Sequence, residues 1–315
     1  MLAKNSQPRQ LPTVSVIGAG RLGTALAIAL EARGYPIDAL VARRLNHARK
    51  AARQLSGSPA CFSEDNFADL PAGDLTLIAT PDDAIGVVAT KLAENPVPSA
   101  KSRAFRSRGR IVLHTSGALS STVLEPLALV GYHTGSLHPL VSISDSRAGA
   151  KALSTAFFCL EGDAQAMKVA QRIVKDLGAR SFAVESDHKA LYHAAAVMSS
   201  GHVTALLDVT IELLTQCGLS QATAKKVLLP LLESTWRNLT TSDPSEALTG
   251  TFARGDEATV EKHLAALRSA NNAYALAAYK LLGQRSLKLL ATKGADPAVI
   301  KRIDALLNKS PRTGR

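Results

Sequence analysis

From Thr13 to about Val184, short runs of apolar and β-branched residues alternate with stretches in which apolar positions recur every three to four residues. The first kind predicts strands at TVSVI, IDALV, PACF, DLTLIAT, RIVLHT, HTGSLHPL, TAFFCLEG and RSFAV. The second predicts helices near 21–33, 45–55, 82–94, 119–129 and 163–177. Strands separated by helical crossovers pair in parallel, which puts helices on the faces of the sheet. After about Glu185 the β-branched runs give way to Ala- and Leu-rich segments of helical period near 187–217, 220–239, 256–292 and 296–309. SDHKAL and TSDPSEAL supply N-cap candidates, Gly218 a C-cap, and Gly283 a break or a helix-internal glycine. The expected fold is therefore α/β: a Rossmann-type, mostly parallel sheet at 13–185, followed by an all-α domain at 186–315. A short disordered leader at 1–12 precedes both.

Composition narrows the function classes. Three cysteines, Cys61, Cys159 and Cys217, are odd in number and far apart, which argues against a disulfide framework or a zinc knuckle and predicts a cytoplasmic location. No stretch is expected to approach the roughly 20 apolar residues of a membrane span, and no membrane partner is expected. The net charge of +11 is spread along the chain, with concentrations at ARRLNHARKAAR, at KSRAFRSRGR (101–110) and at the C-terminal tail. With aromatics at only 4%, the chain lacks the stacking platform of a nucleic-acid binder. The long apolar helix at 187–217 predicts a homodimer built through the helical half.

Candidate chemistry starts at VSVIGAGRLGTALAIALEARGY, where Gly18-Ala19-Gly20-Arg21-Leu22-Gly23 lies between a strand and a helix. In that setting Gly18 permits the tight turn, Gly20 a close approach of a pyrophosphate, and Gly23 close packing of helix on strand, while the helix N-terminus offers free N–H groups to the anion. The next strand ends in Arg43 and Arg44, where an NAD site usually carries a carboxylate. The pair either binds a 2′-phosphate, favouring NADP(H), or is an exposed basic turn.

Ligands of open α/β sheets bind outside the carboxyl ends of the strands. Thr80 and Pro81 there are cofactor candidates, with Asp82 as a helix cap. His114, Ser116 and Gly117, and then Ser136 and His138, end the following strands and are candidates to orient a carbonyl or a carboxylate.

The segment LYHAAAVMSSGH does not read as a metal site. His188 and His193 are five residues apart and His193 and His202 nine, whereas zinc helices use a spacing of four. Lys189 and His193 do stand four apart and share a helical face, which suits proton handling at one spot. The bland alternative makes Lys189 a solvated first-turn residue. Ser199, Ser200 and Arg254 are further substrate-binding candidates, and Asp256 a helix cap.

The set VIGAGRLGTAL, HTSGAL, GSLHPL, LYHAAAVMSSGHVTALLD and ALTGTFARGDEATVEKHLAAL resembles bacterial proteins that join a Rossmann-like domain to a helical C-terminal domain of uncharacterised function. These are related to pyrroline-5-carboxylate reductase, ketopantoate reductase and 6-phosphogluconate dehydrogenase. The resemblance covers about Val14 to Leu290. It implies a 6-phosphogluconate dehydrogenase-like C-terminal domain and hydride transfer between NADP(H) and a small carboxylate-bearing carbonyl or imine. A ketopantoate-like 2-keto acid leads, and pyrroline-5-carboxylate comes next. It also implies that Lys189 matches the lysine of a Lys-x-x-x-Asn pair facing substrate in related dehydrogenases, with His193 replacing the asparagine. HTSGAL and SLHPL are also similar to segments of prephenate dehydrogenase, where His138 would meet a substrate hydroxyl. A non-catalytic NADP-binding regulator is the remaining alternative.

Overall fold

Eight strands form one sheet in the order β3-β2-β1-β4-β5-β6-β7-β8 in a computed structural model that describes residues 11–66, 69–71, 73–94 and 109–309. The strands are β1 Val14–Ile17, β2 Ile37–Ala42, β3 Ala60–Ser63, β4 Leu75–Ile78, β5 Arg110–His114, β6 Tyr132–Leu140, β7 Phe157–Gly162 and β8 Arg180–Ala183. All pairings are parallel except β6 with β7. The eight expected strands are all present, and the chain is a mostly parallel Rossmann-like sheet followed by helices.

The helices are α1 Arg21–Glu31, α2 Leu45–Ala52, α3 Asp82–Glu94, α4 Glu125–Leu129, α5 Ser146–Ala152, α6 Ala164–Leu177, α7 Lys189–Ser199, α8 Gly201–Gln216, α9 Gln221–Thr241, α10 Pro244–Ala247, α11 Gly250–Ala253, α12 Glu257–Ser269, α13 Ala273–Thr292 and α14 Pro297–Asn308. The chain divides into two compact units, Met1–Met198 and Ser199–Arg315. The change of texture at 185/186 lies thirteen residues before this division, because α7 packs with the sheet unit.

Alternate residues of the central strands enter different cores, as the period of two requires. Val14, Val16, Leu75, Leu77, Ile111 and Leu113 pack with Leu26 and Leu30 of α1 and with Ile173 and Leu177 of α6. Ile17, Ile78 and Val112 pack on the other face with Ile85 and Leu92 of α3. Both faces are therefore covered, and the carboxyl edge is left for ligands.

In the second unit Val260, Leu264, Leu287, Leu290, Ile303 and Leu307 form a separate core among α12, α13 and α14. The long run expected at 256–292 is interrupted. Asn271 takes φ +50 and the Asn272 side chain caps α13 by accepting from the Ala275 N–H, the local bonding that makes asparagine leave a helix. Asp256 caps α12 as expected, and Gly283 stays inside α13 against Phe252.

The run expected at 187–217 is likewise two helices, with Ser200 at φ −130 and ψ −74 between them. By length and composition Ser186–Gln216 is apolar enough to cross a membrane, which corrects the expectation that no stretch approaches that length. The reason is plain in the residues: nothing between Lys189 and Asp208 is Asp, Glu, Lys or Arg. The leader residues 1–10 and most of the basic segment, 101–108, lie outside the described residues.

Candidate active site

The loop between β1 and α1 shows why each glycine is needed. Gly18 sits at φ +98, and a Cβ there would lie 2.5 Å from the Ala79 carbonyl carbon, so no side chain fits. Its N–H and that of Ala19 both donate to the Val41 carbonyl, 2.9 Å each, which ties the loop to the end of β2. A Cβ on Gly23 would stand 2.2 Å from the Gly18 oxygen, so α1 can approach the strand only with glycine there.

Gly20 differs: a Cβ on it would meet nothing within 4 Å. It is also the N-cap of α1, with no side-chain cap and no acid in the first turn. Open space therefore faces uncapped N–H groups, which suits a pyrophosphate. Arg21 and Leu22 begin the helix beside it.

Thr80 follows β4 with its Oγ1 buried and without a hydrogen-bond partner among the described residues, and Pro81 precedes α3. An orphaned hydroxyl beside a loop open to an anion fits a bound dinucleotide, whose polar groups would satisfy it. Arg43 follows β2 and is exposed, with Nε 4.0 Å from Glu64, and Arg44 is the N-cap of α2. Both are available to a 2′-phosphate.

Asp82 does not cap α3 but begins it, and its carboxylate accepts from Ser116 Oγ at 2.9 Å. Ser116 Oγ in turn accepts from the N–H groups of Ala118 and Leu119, so the turn after β5 is fixed by one hydroxyl. Beneath it, His114 is fully buried, and its Nδ1 accepts from the Ser116 N–H at 3.1 Å.

Lys189 is 1% exposed, which removes the alternative of a solvated first-turn residue, and its Nζ donates to Ser136 Oγ at 2.7 Å and to the Ser116 carbonyl at 3.2 Å. No ion pair to it is formed among the described residues. Burial lowers its pKa below the ordinary 10.5, opposed by the nearby Cys159, Glu161 and Asp82.

His193, expected to act with Lys189, is instead directed to His138. Their rings stand edge to face with centroids 5.6 Å apart, and both border Gly117, where a Cβ would come within 2.4 Å of His193 Cδ2 and 2.8 Å of His138 Nε2. His138 Nδ1 lies 2.7 Å from the hydroxyl of Tyr192.

Tyr192 thus enters the site although its type and position gave only a weak sign of it. It sits three residues after Lys189 on α7, so a helical wheel through that lysine would have found it. Cys159 stands opposite His138 across the β6–β7 pairing, buried and against the Tyr192 hydroxyl. Ser199, Ser200 and Arg254 belong to the second unit, where Arg254 ends α11.

Burial, with Lys189 and then His193 adding to it, lowers the His138 pKa from 6.5 to about 4. His114 falls to about 3, first through burial and then through Lys189, with the Ser120 backbone opposing the shift and His138 adding to it. Both imidazoles are neutral at pH 7. Because the folded value of His114 is depressed, its contribution is full above pH 6.5 and is lost as pH falls toward 3, on the order of 5 kcal/mol. Urea unfolding followed from pH 7 to pH 3.5 should therefore show a steep loss of stability. In His114→Asn, whose Oδ1 can replace Nδ1 as acceptor, the slope should be shallower, with the part due to the depressed His138 remaining; an unchanged slope would show that His114 does not contribute to it.

Residues 3–139 match the Rossmann-like domain, and residues 156–286 match a domain of unknown function, DUF2520. No functionally curated protein matches the chain in sequence. Among solved structures it is similar to a Thermotoga maritima protein at 20% identity, covering 90% of this chain and 100% of that one with a TM-score of 0.68. It is also similar to a Bacteroides fragilis protein provisionally named an NADP oxidoreductase, at 23% identity, 88% and 98% coverage and a TM-score of 0.70. A Plasmodium falciparum pyrroline carboxylate reductase with NADP bound matches at 12% identity, 94% and 98% coverage and a TM-score of 0.54. At these identities the likeness is one of fold. The chain joins a Rossmann-like N-terminal domain to a C-terminal DUF2520 domain, on a fold shared with NADP-dependent oxidoreductases.

Proposed function

We propose that this protein is an NADP(H)-dependent oxidoreductase acting on the carbonyl or imine carbon of a small carboxylate, with a ketopantoate-like 2-keto acid ahead of pyrroline-5-carboxylate. The observation that carries the reading is the convergence at one sheet edge. The loop shaped for a dinucleotide follows β1, the Ser116–Gly117 turn follows β5, and that turn is bordered by His138, two residues beyond the level at which β5 ends, and by His193 of α7.

NADP(H), when bound, supplies or accepts the hydride. The protein's own residues have three tasks. Gly18, Ala19, Gly20 and Gly23 bind and orient, with Arg21 and Leu22 opening the helix and Thr80 and Pro81 beside it. His138, neutral at pH 7, and His193 hold a proton at the substrate heteroatom, since an imidazole can both donate and accept a hydrogen bond. Lys189 braces the Ser116 carbonyl and Ser136 from below, so that Ser116 and Gly117 keep the imidazoles in place.

Steady NADPH consumption with a panel of 2-keto acids and cyclic imines tests the activity, and no turnover with any member counts against it. The cofactor preference has its own measurement. NADPH should bind more tightly than NADH, and replacing Arg43 and Arg44 by alanine should weaken NADPH selectively, by a few kcal/mol at most. Equal affinities in the unmodified protein would remove the basis for the preference.

A further inference from the structure

Tyr192 and His138 come from different elements, α7 and β6, yet the phenol oxygen and the imidazole Nδ1 lie 2.7 Å apart. A contact of that length has to place one proton. A phenol has one to give, and two groups compete for it: Nδ1 and the Cys159 sulfur lying against the same hydroxyl. An imidazole nitrogen is a good acceptor and a neutral thiol a poor one, so the phenol proton belongs to the bond with Nδ1. A neutral imidazole that accepts at Nδ1 carries its own proton on Nε2. That nitrogen is the one beside Gly117, and it makes no hydrogen bond to the protein among the described residues.

We infer that Tyr192 is a positioning residue that locks His138 as the Nε2–H tautomer, so that His138 offers a fixed N–H donor to the substrate's oxygen or nitrogen beside Gly117. The inference rests on the oxidoreductase reading for its use, but not for its geometry. It narrows the role of His138: a preset donor toward charge developing on a heteroatom, which costs no reorganisation when the charge appears, rather than a base that first loses a proton. Gly117 has a part in this, because any side chain there would occupy the place of Nε2 and of the His193 edge.

The remaining ionisable neighbours are consistent with the assignment. Lys189, His193, His114 and Cys159 face this region, and no carboxylate is bonded to the ring to favour an imidazolium. The Tyr192 hydroxyl holds its proton well above the usual phenol range, through burial first and then the presence of Cys159.

Nitrogen-15 NMR of the full chain with labelled histidine reads the tautomer directly, with His138→Gln used only to assign the signal. The expected result for the unmodified protein at pH 7 is a pyridine-type Nδ1 and a pyrrole-type Nε2, with a single tautomer filled. In Tyr192→Phe the two nitrogens should move toward the averaged positions of an exchanging imidazole, while the circular dichroism spectrum is retained. A pyrrole-type Nδ1 in the unmodified protein overturns the inference, and it does so even if Tyr192→Phe fails to fold. So does a folded Tyr192→Phe whose His138 signals are unmoved. Where a turnover substrate has been found, Tyr192→Phe should lower kcat about tenfold or more with little change in KM. An absence of turnover combined with the expected tautomer would count against the oxidoreductase reading and leave the positioning role standing.

Discussion

Gly20→Ala should leave the protein folded and abolish measurable NADP(H) binding, a loss of more than about 10²-fold in affinity if the methyl group displaces the pyrophosphate. The asymmetry between fold and ligand follows from the geometry. A Cβ at Gly20 meets nothing within 4 Å, and the residue sits at φ −80, which any residue adopts. Reducing the freedom of the unfolded chain there is neutral to slightly stabilising, about 0.5 kcal/mol. The empty space matters only to a ligand that must come close to the backbone. Gly18→Ala provides the contrast. Its Cβ would overlap the Ala79 carbonyl and the Thr80 nitrogen at 2.5 to 2.6 Å, at a φ of +98, so stability should fall by about 2 kcal/mol or more together with binding. Thermal melts of the two variants, set beside fluorescence titration with NADPH, separate the cases. If Gly20→Ala binds NADPH as tightly as the unmodified protein, the loop is a packing device and not a cofactor cradle.

The same division between what packs and what binds explains how much was legible in the sequence. The central strands could be read because their residues are buried on one face or the other, so that Val14, Val16 and Ile17 had to be apolar whichever core they entered, and the more exposed β3 and β8 were read from their short β-rich runs alone. The glycine loop was readable because three backbone constraints coincide within six residues. The break at Asn271 was present as an Asn-Asn pair but was outweighed by the helical period on both sides of it. Helix α5 was missed because its Ser-Arg-Ala-Gly-Ala-Lys-Ala sequence has almost no apolar stripe; the Asp145 side chain caps it by accepting from the N–H groups of Arg147 and Ala148.

The site was half legible. Its members were named from strand ends and from the spacing on α7, but spacing says which residues share a face and not what that face meets. Lys189 and His193 share a face of α7, yet the lysine runs under the turn after β5 to Ser136 while the histidine meets His138. That partition depends on β6 lying beside β5, a long-range pairing no local pattern contains. Tyr192 and Cys159 were missed for the same reason, since only the antiparallel β6–β7 register puts Cys159 opposite His138 and only the packing of α7 brings the phenol between them.

Lys189→Met should reduce turnover about 10²-fold on a confirmed substrate while leaving NADPH affinity nearly unchanged, and it should not destabilise the protein at pH 7. The two halves have separate causes. The ammonium braces the Ser116 carbonyl and Ser136 Oγ, and without it the turn that carries Gly117 and borders both imidazoles loses its support from below. A displacement of order 1 Å in such a site costs about 10²-fold. Stability runs the other way because the amine is buried without a carboxylate partner. Its folded pKa lies below 10.5, so the unfolded chain binds the proton more readily. The lysine's contribution is therefore full above pH 10.5 and is lost as pH falls through the depressed folded value. Methionine, of similar length and uncharged, is free of that penalty. The variant should thus match the unmodified protein near pH 10.5 and equal or exceed it at pH 7, as read from urea midpoints across that range. A variant that unfolds several kcal/mol more easily at pH 7 would mark Lys189 as a structural pillar, and one that keeps full turnover would remove it from the site's support.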